Sequence, residues 1–471
     1  MRPRTLLANV TALVFAQTLI KLVNFAVSIA VVRALGAEEL GRYAYVLAFA
    51  YPFGIMADFG LAAFAIREIS REPARGPEVL AGLRRAVLFL SGIGAAAMMS
   101  VAIMAGHETT TILCMGLAAL SMLLSAATTP YIVVLTARED LHLVSAHRVA
   151  ASLLVALATV IVLLQEGASL GLLAASVAVS GLMLVFARFL AGRAPSPPGA
   201  LSACARTMIR RALPFGVLML GYALYYRVDM IMLHWLREPR DVGLYAAAYR
   251  FLDAVILLAA SIGGPFYPRL ASMAGRDLPG IRDLLEGTWK PLLALGLPVL
   301  IGTVFLAEPL TQVLFGEEFV EAGVVLQVLI LGSLPLMWIA IPNHALLAAD
   351  VVLPLAKVYG LSVAVNVLLN IVLIPRWGPV GAAVATVLCE WLNLAFVVWM
   401  VRREFGLSLS YEGLWRYILA ALAMSVVVWL GRDLSLAVVI PLGLVAYAGG
   451  LMLMGFLRSP DLLTVKRLLT Q

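Results

Sequence analysis

The stretch VYGLSVAVNVLLNIVLIPRWGPVGAAVATVLCEWLNLAFVVWMV, residues 358–401, decides the fold. Two apolar runs, 358–374 and 380–401, flank the break PRWGP. Each has the length of a helix that crosses a hydrocarbon core of about 30 Å. A transmembrane barrel would show short alternating segments, not continuous apolar runs. An open sheet would leave backbone groups unpaired in lipid. The five residues 375–379 connect the two crossings.

The same texture extends in both directions. Further spans are predicted at 10–32, 43–66, 86–106, 109–137, 149–164, 171–191, 213–235, 244–268, 291–307, 324–347, 417–430 and 435–456, about fourteen in all. Composition agrees. Of 471 residues, 62% are hydrophobic and 13% charged, about half the charge of an ordinary soluble domain. The chain therefore reads as an all-α multi-pass membrane protein with almost no aqueous part. The first span does not resemble a cleaved signal, because Gln17, Lys21 and Asn24 interrupt it. Cys114, Cys204 and Cys389 show no metal-ligand or disulfide spacing.

Charge sets the orientation. Of the 34 Lys and Arg, 24 lie on the side of the N-terminus and the even-numbered connections, 6 on the other side and 4 within spans. Positive charge is retained in the cytoplasm, so both termini are expected there, in the cytoplasmic (inner) membrane. The net charge of +7 is then a topology signal with some attraction to membrane lipids, and nucleic acid is not an expected partner. The longest outer loop, near Glu308–Gly323, carries Glu317, Glu318 and Glu321 beside Leu314, Phe315 and Phe319. It reads as an amphipathic element at the outer interface.

A repeat is visible. LGRYAY at 40–45 is similar to VGLYAAAY at 242–249, and Ala146–Gly171 aligns without gaps to Ala356–Gly381 with 7 of 26 positions identical, Ser152 and Ser362 among them. Six spans per half return the chain to its starting side, which predicts two six-helix lobes related by a parallel repeat. A cavity between them would carry the substrate. The expected domains are an N-terminal lobe at 1–194, a Pro-stiffened cytoplasmic linker at 195–212, a C-terminal lobe at 213–403, and two further helices with a tail at 404–471.

Four stretches carry a family resemblance: ADFGLAAFAIRE (57–68), LPFG with YRVDMIML (213–216 and 226–233), VGLYAAAYR (242–250) and NVLLNIVLIPRWGPVGAAVATVLCE (366–390). Together they resemble the multidrug/oligosaccharidyl-lipid/polysaccharide exporter superfamily, and within it the polysaccharide-type flippases, which include O-antigen and lipid II flippases. The resemblance implies translocation of an isoprenoid-diphosphate-linked oligosaccharide, such as a lipopolysaccharide precursor, from the cytoplasmic to the outer leaflet by alternating access. It also implies contact with other polysaccharide assembly proteins.

Polar residues within spans are costly in lipid and become functional candidates. Gln17, Lys21, Asn24 and Ser28 share one helical face and are expected to line water; packing by hydrogen bonds is the alternative. Arg33 and Arg42 fit interfacial snorkelling. Arg250 sits one turn from Asp253 and pairs with it in the simplest reading. It also resembles the substrate-binding arginine of lipid II flippases, and a guanidinium suits a diphosphate. Arg227 and Asp58 complete the substrate candidates, Asp58 with an equal claim to helix packing.

A second polar group falls in the last third. Ser362, Asn366 and Asn370 form one stripe, and Thr386, Glu390 and Asn393 another. With Asp229, these oxygens suit a hard cation. The resemblance implies a Na⁺ site at Asp229, Asn366, Asn370 and Thr386 with the carbonyl of Ala382. Here Asn370 stands where lipid II flippases carry an aspartate, which weakens cation binding or shifts coupling to a proton carried by Glu390. An interhelical hydrogen-bond cluster is the plainer account. No other cofactor is implied.

Two competing functions remain. A multidrug cation antiporter of the same superfamily would favour an acidic cavity, whereas Lys21 and Arg250 are cationic. A membrane polymerase or ligase would need a sizeable outer loop, and no predicted outer loop exceeds about 16 residues.

Overall fold

The computed structural model describes residues 3–165, 167–192, 201–407 and 412–455; the backbone alone is described at 3–19, 21, 22, 201–204, 214, 215 and 218. Among the described residues every regular element is helical. The helices are α1 (Pro3–Asp58), α2 (Leu61–Arg71), α3 (Gly76–Met104), α4 (Thr109–Ala137), α5 (Leu141–Leu164), α6 (Ser169–Ala191), α7 (Leu201–Tyr225) and α8 (Val228–Leu236). They continue as α9 (Pro239–Gly263), α10 (Tyr267–Met273), α11 (Leu278–Phe315), α12 (Ala322–Leu329), α13 (Ser333–Ala348), α14 (Val352–Phe405), α15 (Leu414–Leu430) and α16 (Leu436–Leu453).

Ten helical stretches among the described residues are long and apolar enough to cross a membrane. Two of these hold paired crossings joined at a glycine. α1 turns at Gly36 (φ 69°, ψ 175°) and α14 at Gly378 (φ 55°, ψ −132°). With α15 and the α7–α8 pair, the fourteen crossings expected from sequence are accounted for. The protein is thus a multi-pass helical membrane protein.

The turn in α14 shows how sequence fixes the local path. Pro379 has no N–H to give the carbonyl of Pro375, four residues back. The reversal at Gly378 also removes the helical partner of the Ile374 carbonyl. Arg237 supplies both bonds: its Nε donates to Ile374 O at 3.2 Å and its Nη2 to Pro375 O at 2.7 Å. The φ of Gly378 lies in the left-handed region, which disfavours a Cβ.

The chain forms two compact units, Met1–Ile231 and Met232–Gln471. In the first, Ala57, Leu61, Ala65, Val79, Leu83, Ala86, Val87, Ala126, Val133, Met208 and Ala212 share one core. The alanines let α1–α4 and α7 approach closely, as helices must in lipid, where apolar burial alone gives no advantage. In the second, α15 and α16 pack on each other and on α11, through Leu293, Leu306, Tyr417, Met424, Val428, Val439 and Tyr447.

The units meet at residue 231, whereas the sequence reading opened the second lobe at 213. Met208 and Ala212 insert into the core of the first unit, so α7 packs with α1, α2 and α3. Of the linker reading, 195–200 lies outside the described residues, and 201–212 is the first part of α7. The tail from 456 onward also lies outside them.

Candidate functional site

Two polar regions stand out among the membrane-spanning helices, one in each unit. The C-terminal unit holds a closed one on α14. Ser362, Asn366, Asn370, Glu390 and Asn393 are each 1% exposed or less, and Thr386 is buried. The spacing 362–366–370 puts three polar side chains on one face of the first half of α14, and 386–390–393 does the same on the second half. Ser362 donates to Asn393 Oδ1, which ties the two halves together. Asn370 Nδ2 donates to Asn366 Oδ1 at 2.7 Å. Thr386 Oγ1 donates to the Ala382 carbonyl at 3.0 Å. Having spent its proton there, it accepts from the Tyr245 hydroxyl at 3.1 Å. A Cβ on Gly332 would lie 3.6 Å from Glu390 Cγ, so this carboxyl packs against the start of α13.

Asn370 Oδ1 and Asn393 Nδ2 are buried in this core and lack hydrogen-bond partners among the described residues. An orphaned amide oxygen beside a second amide suits a hard cation. The Ala382 carbonyl, by contrast, is engaged by Thr386. Asp229 belongs to the other compact unit, where it is buried and its Oδ1 accepts from the Met230 N–H at 2.8 Å.

The C-terminal unit also positions Arg250 on α9. Its Nη1 lies 3.8 Å from Asp253 Oδ2, a long contact for a charge-assisted pair. Its Nε is buried with no hydrogen-bond partner among the described residues. The pair expected from sequence therefore forms but leaves donor capacity on the guanidinium.

The remaining candidates lie in the N-terminal unit. Lys21 and Gln17 fall on α1, but their side chains lie outside the described residues. Asn24 is exposed and accepts a 3.0 Å hydrogen bond from Ser152 on α5. Asp58 ends α1, and its Oδ1 accepts from the Ala62 N–H at 3.3 Å. That contact spans the break at Phe59 and Gly60, both at positive φ. Arg42 pairs with Glu38 and Glu39 at 2.7 and 3.0 Å rather than simply reaching for the interface.

Arg227 lies in the break between α7 and α8, with its guanidinium 5.3 Å from the ring centre of Tyr51. Tyr222, Tyr225 and Tyr226 crowd the same break, with centroid separations of 4.6 Å (222–226) and 5.1 Å (225–226). The sequence reading singled out Arg227 but none of these tyrosines. The signal was present as YALYYR at 222–227, three phenols beside a charge inside a predicted span.

Breaks within long apolar helices, and orphaned buried polar atoms among the described residues, make these two regions the candidate site. The overall fold resembles solved ones. It is similar to that of the lipid II flippase MurJ in an inward closed conformation, with TM-score 0.78 at 14% identity over 96% of this chain and 100% of that one. It is also similar to an inward-facing multidrug resistance MATE family transporter of the MOP superfamily, with TM-score 0.65 at 14% identity over 82% of this chain and 94% of that one.

Residues 6–274 match the family described as polysaccharide biosynthesis protein, and the chain belongs to that family. Three of the four stretches that carried the resemblance fall within this match. Two relatives from Haloferax volcanii are similar. They are a probable low-salt glycan biosynthesis flippase, Agl15, at 26% identity over 176 residues, and a probable flippase, AglR, at 28% over 178 residues. In each case the match covers 37% of this chain and 37% of the relative.

Proposed function

We propose that the protein is a flippase that moves an isoprenoid-diphosphate-linked oligosaccharide from the cytoplasmic to the outer leaflet. The observation that carries this reading is Arg250, a guanidinium within a crossing helix whose Nε is buried without a partner and whose Asp253 contact is long. A charge at such depth costs several kcal/mol on insertion scales, of order ~3. A diphosphate supplies the matching charge and the acceptors. Family membership supports a glycan as cargo. The charge bias supports cytoplasmic termini, and hence a cytoplasmic loading side.

Transport of a polar glycan across lipid needs an energy source. The sequence carries no nucleotide-binding loop of the G-x-x-x-x-G-K-[ST] form. An ion gradient or the membrane potential remains. In the C-terminal unit, Asn370 Oδ1 with Asn366 and Thr386 would hold a hard cation, and Glu390 in the same core would hold a proton. Either ion would drive transport only by binding one conformation better than another.

Purified protein in vesicles, given a fluorescent lipid-linked oligosaccharide on one leaflet, tests the proposal. Faster appearance of the glycan on the opposite leaflet than in empty vesicles is expected, with a rate that responds to an imposed Na⁺ or proton gradient. No acceleration over empty vesicles would overturn the flippase reading. Acceleration indifferent to both gradients would remove the coupling and leave the flippase.

A further inference from the structure

The tyrosine group at the α7–α8 break has no part in diphosphate or ion binding as argued above. Tyr226 and Arg227 stand outside both helices, between Tyr225 and Val228. Arg227 lies nine residues before the end of α8 at Leu236, about 14 Å along a helix axis, so the break falls well inside the bilayer. Irregular backbone at that depth is tolerated where protein buries it or where it lines a polar cavity.

A Cβ on Gly221, next to Tyr222, or on Gly54, one turn from Tyr51, would meet no atom of the described residues within 4 Å. Tyr51 itself is 41% exposed. The rings of Tyr222 and Tyr226 lie 4.6 Å apart, centre to centre, and both are half-buried. Tyr225 is buried and backs them.

We infer that Tyr51, Tyr222, Tyr226 and Arg227 form a sugar-stacking platform that binds pyranose rings of the cargo. A pyranose has an apolar C–H face, whose slightly positive hydrogens suit the negative face of a phenol ring. Its hydroxyl edges suit tyrosine O–H groups and the donors of a guanidinium. Tyrosine surfaces also attract organic cations, but the fixed positive charge of Arg227 beside Tyr51 repels one. An uncharged or anionic sugar carries no such penalty.

The platform rests on the flippase reading, and the test separates the two. The probes are the lipid-linked oligosaccharide pool extracted from the source cells and undecaprenyl diphosphate without a glycan. Binding is measured on the full-length purified protein in nanodiscs. The wild type is expected to prefer the glycan-bearing lipid. Tyr222→Leu and Tyr226→Leu should each lower that preference by about threefold to tenfold, the range of one aromatic contact. Affinity for undecaprenyl diphosphate should stay unchanged, and Tyr222→Phe and Tyr226→Phe, which keep the stacking face, should retain most of the preference. The phenylalanine variants also guard against misfolding of the leucine ones. If neither lipid binds the wild type, the flippase reading falls and the platform with it. If both bind but equally, or the leucine variants keep the wild-type preference, the platform alone is overturned.

Discussion

Ser152 and Ser362 occupy matching positions of the internal repeat, and each donates a hydrogen bond to an asparagine. Their surroundings differ. Ser152 bonds the exposed Asn24 at 3.0 Å, whereas Ser362 bonds Asn393 with both side chains buried. One unit presents its serine–asparagine pair at an open surface; the other folds the matching serine into a closed core. The same donor–acceptor chemistry therefore serves two ends. An exposed polar group exchanges its partner for water or ligand at little cost, while a buried one must keep its partner or lose about 1–3 kcal/mol. Open polar sites should affect transport with little change in stability, and closed ones should do the reverse.

The largest effect tests the open class. Arg250→Ala should abolish glycan export while the protein stays in the membrane at wild-type levels, because among the described residues Arg250 loses a single long ion pair of 3.8 Å. Arg250→Lys keeps the charge without the bidentate fork and should recover part of the activity. Export assayed beside immunoblots of the membrane fraction gives the answer. Loss of the protein itself would move Arg250 into the closed class, and full export from the alanine variant would remove it from the substrate path.

Ser362→Ala and Ser152→Ala break or sharpen the comparison directly. The first leaves Asn393 Oδ1 buried without its donor, and Asn393 Nδ2 already lacks an acceptor among the described residues. It should lose about 1–3 kcal/mol, seen as a lower melting temperature in detergent. The second should stay within about 0.5 kcal/mol. Equal losses would mean that the open and closed stripes are not distinct.

How much of this was legible in sequence follows from the range of the signals. Apolar run length sets the crossings, and three- and four-residue spacing sets the stripes at 362–366–370 and 386–390–393. Both are local, and both reappear in the structure. Which helix a stripe packs against is not local. The approach of Tyr51 to Arg227, and the docking of Met208 and Ala212 into the first unit, join segments far apart in sequence. No periodicity within either segment encodes them. The hydrogen bond from Thr386 to Ala382 was local but escaped notice, since a threonine in a helix has a free choice between its own i−4 carbonyl and a ligand.

Gly378→Ala probes what holds the closed core together. The turn at this glycine brings the two stripes of α14 into register, with Arg237 bonding the Ile374 and Pro375 carbonyls beside it. A Cβ at φ 55° costs about 1–2 kcal/mol, and one here would also lie 3.5 Å from Asp241 Oδ2. The melting temperature should fall by less than for Ser362→Ala combined with Asn393→Leu. A variant as stable as the wild type would show that the turn relaxes freely and that the stripes do not depend on it.

The smallest effect calibrates what a charge is worth outside the bilayer. Arg240 Nη1 lies 2.9 Å from Glu321 Oε2, and both side chains are largely exposed. That hydrogen bond, with the attraction of the Arg240 charge, holds the Glu321 carboxyl below its ordinary value of 4.5. A carboxyl lowered on folding stabilises the folded state above its unfolded pKa, and the contribution fades as pH falls through the folded value. The pair should therefore contribute fully at pH 7 and progressively less below about pH 4.5. Solvent screening keeps the contribution small at any pH. Melting curves of the wild type and Glu321→Gln should show a slight gap at pH 7 and low salt, closing in acid and in high salt. A gap that widens on acidification would have the wrong sign for this pair. A gap as large as that of Ser362→Ala would place the outer loop, by its stability, with the closed core instead of at the interface.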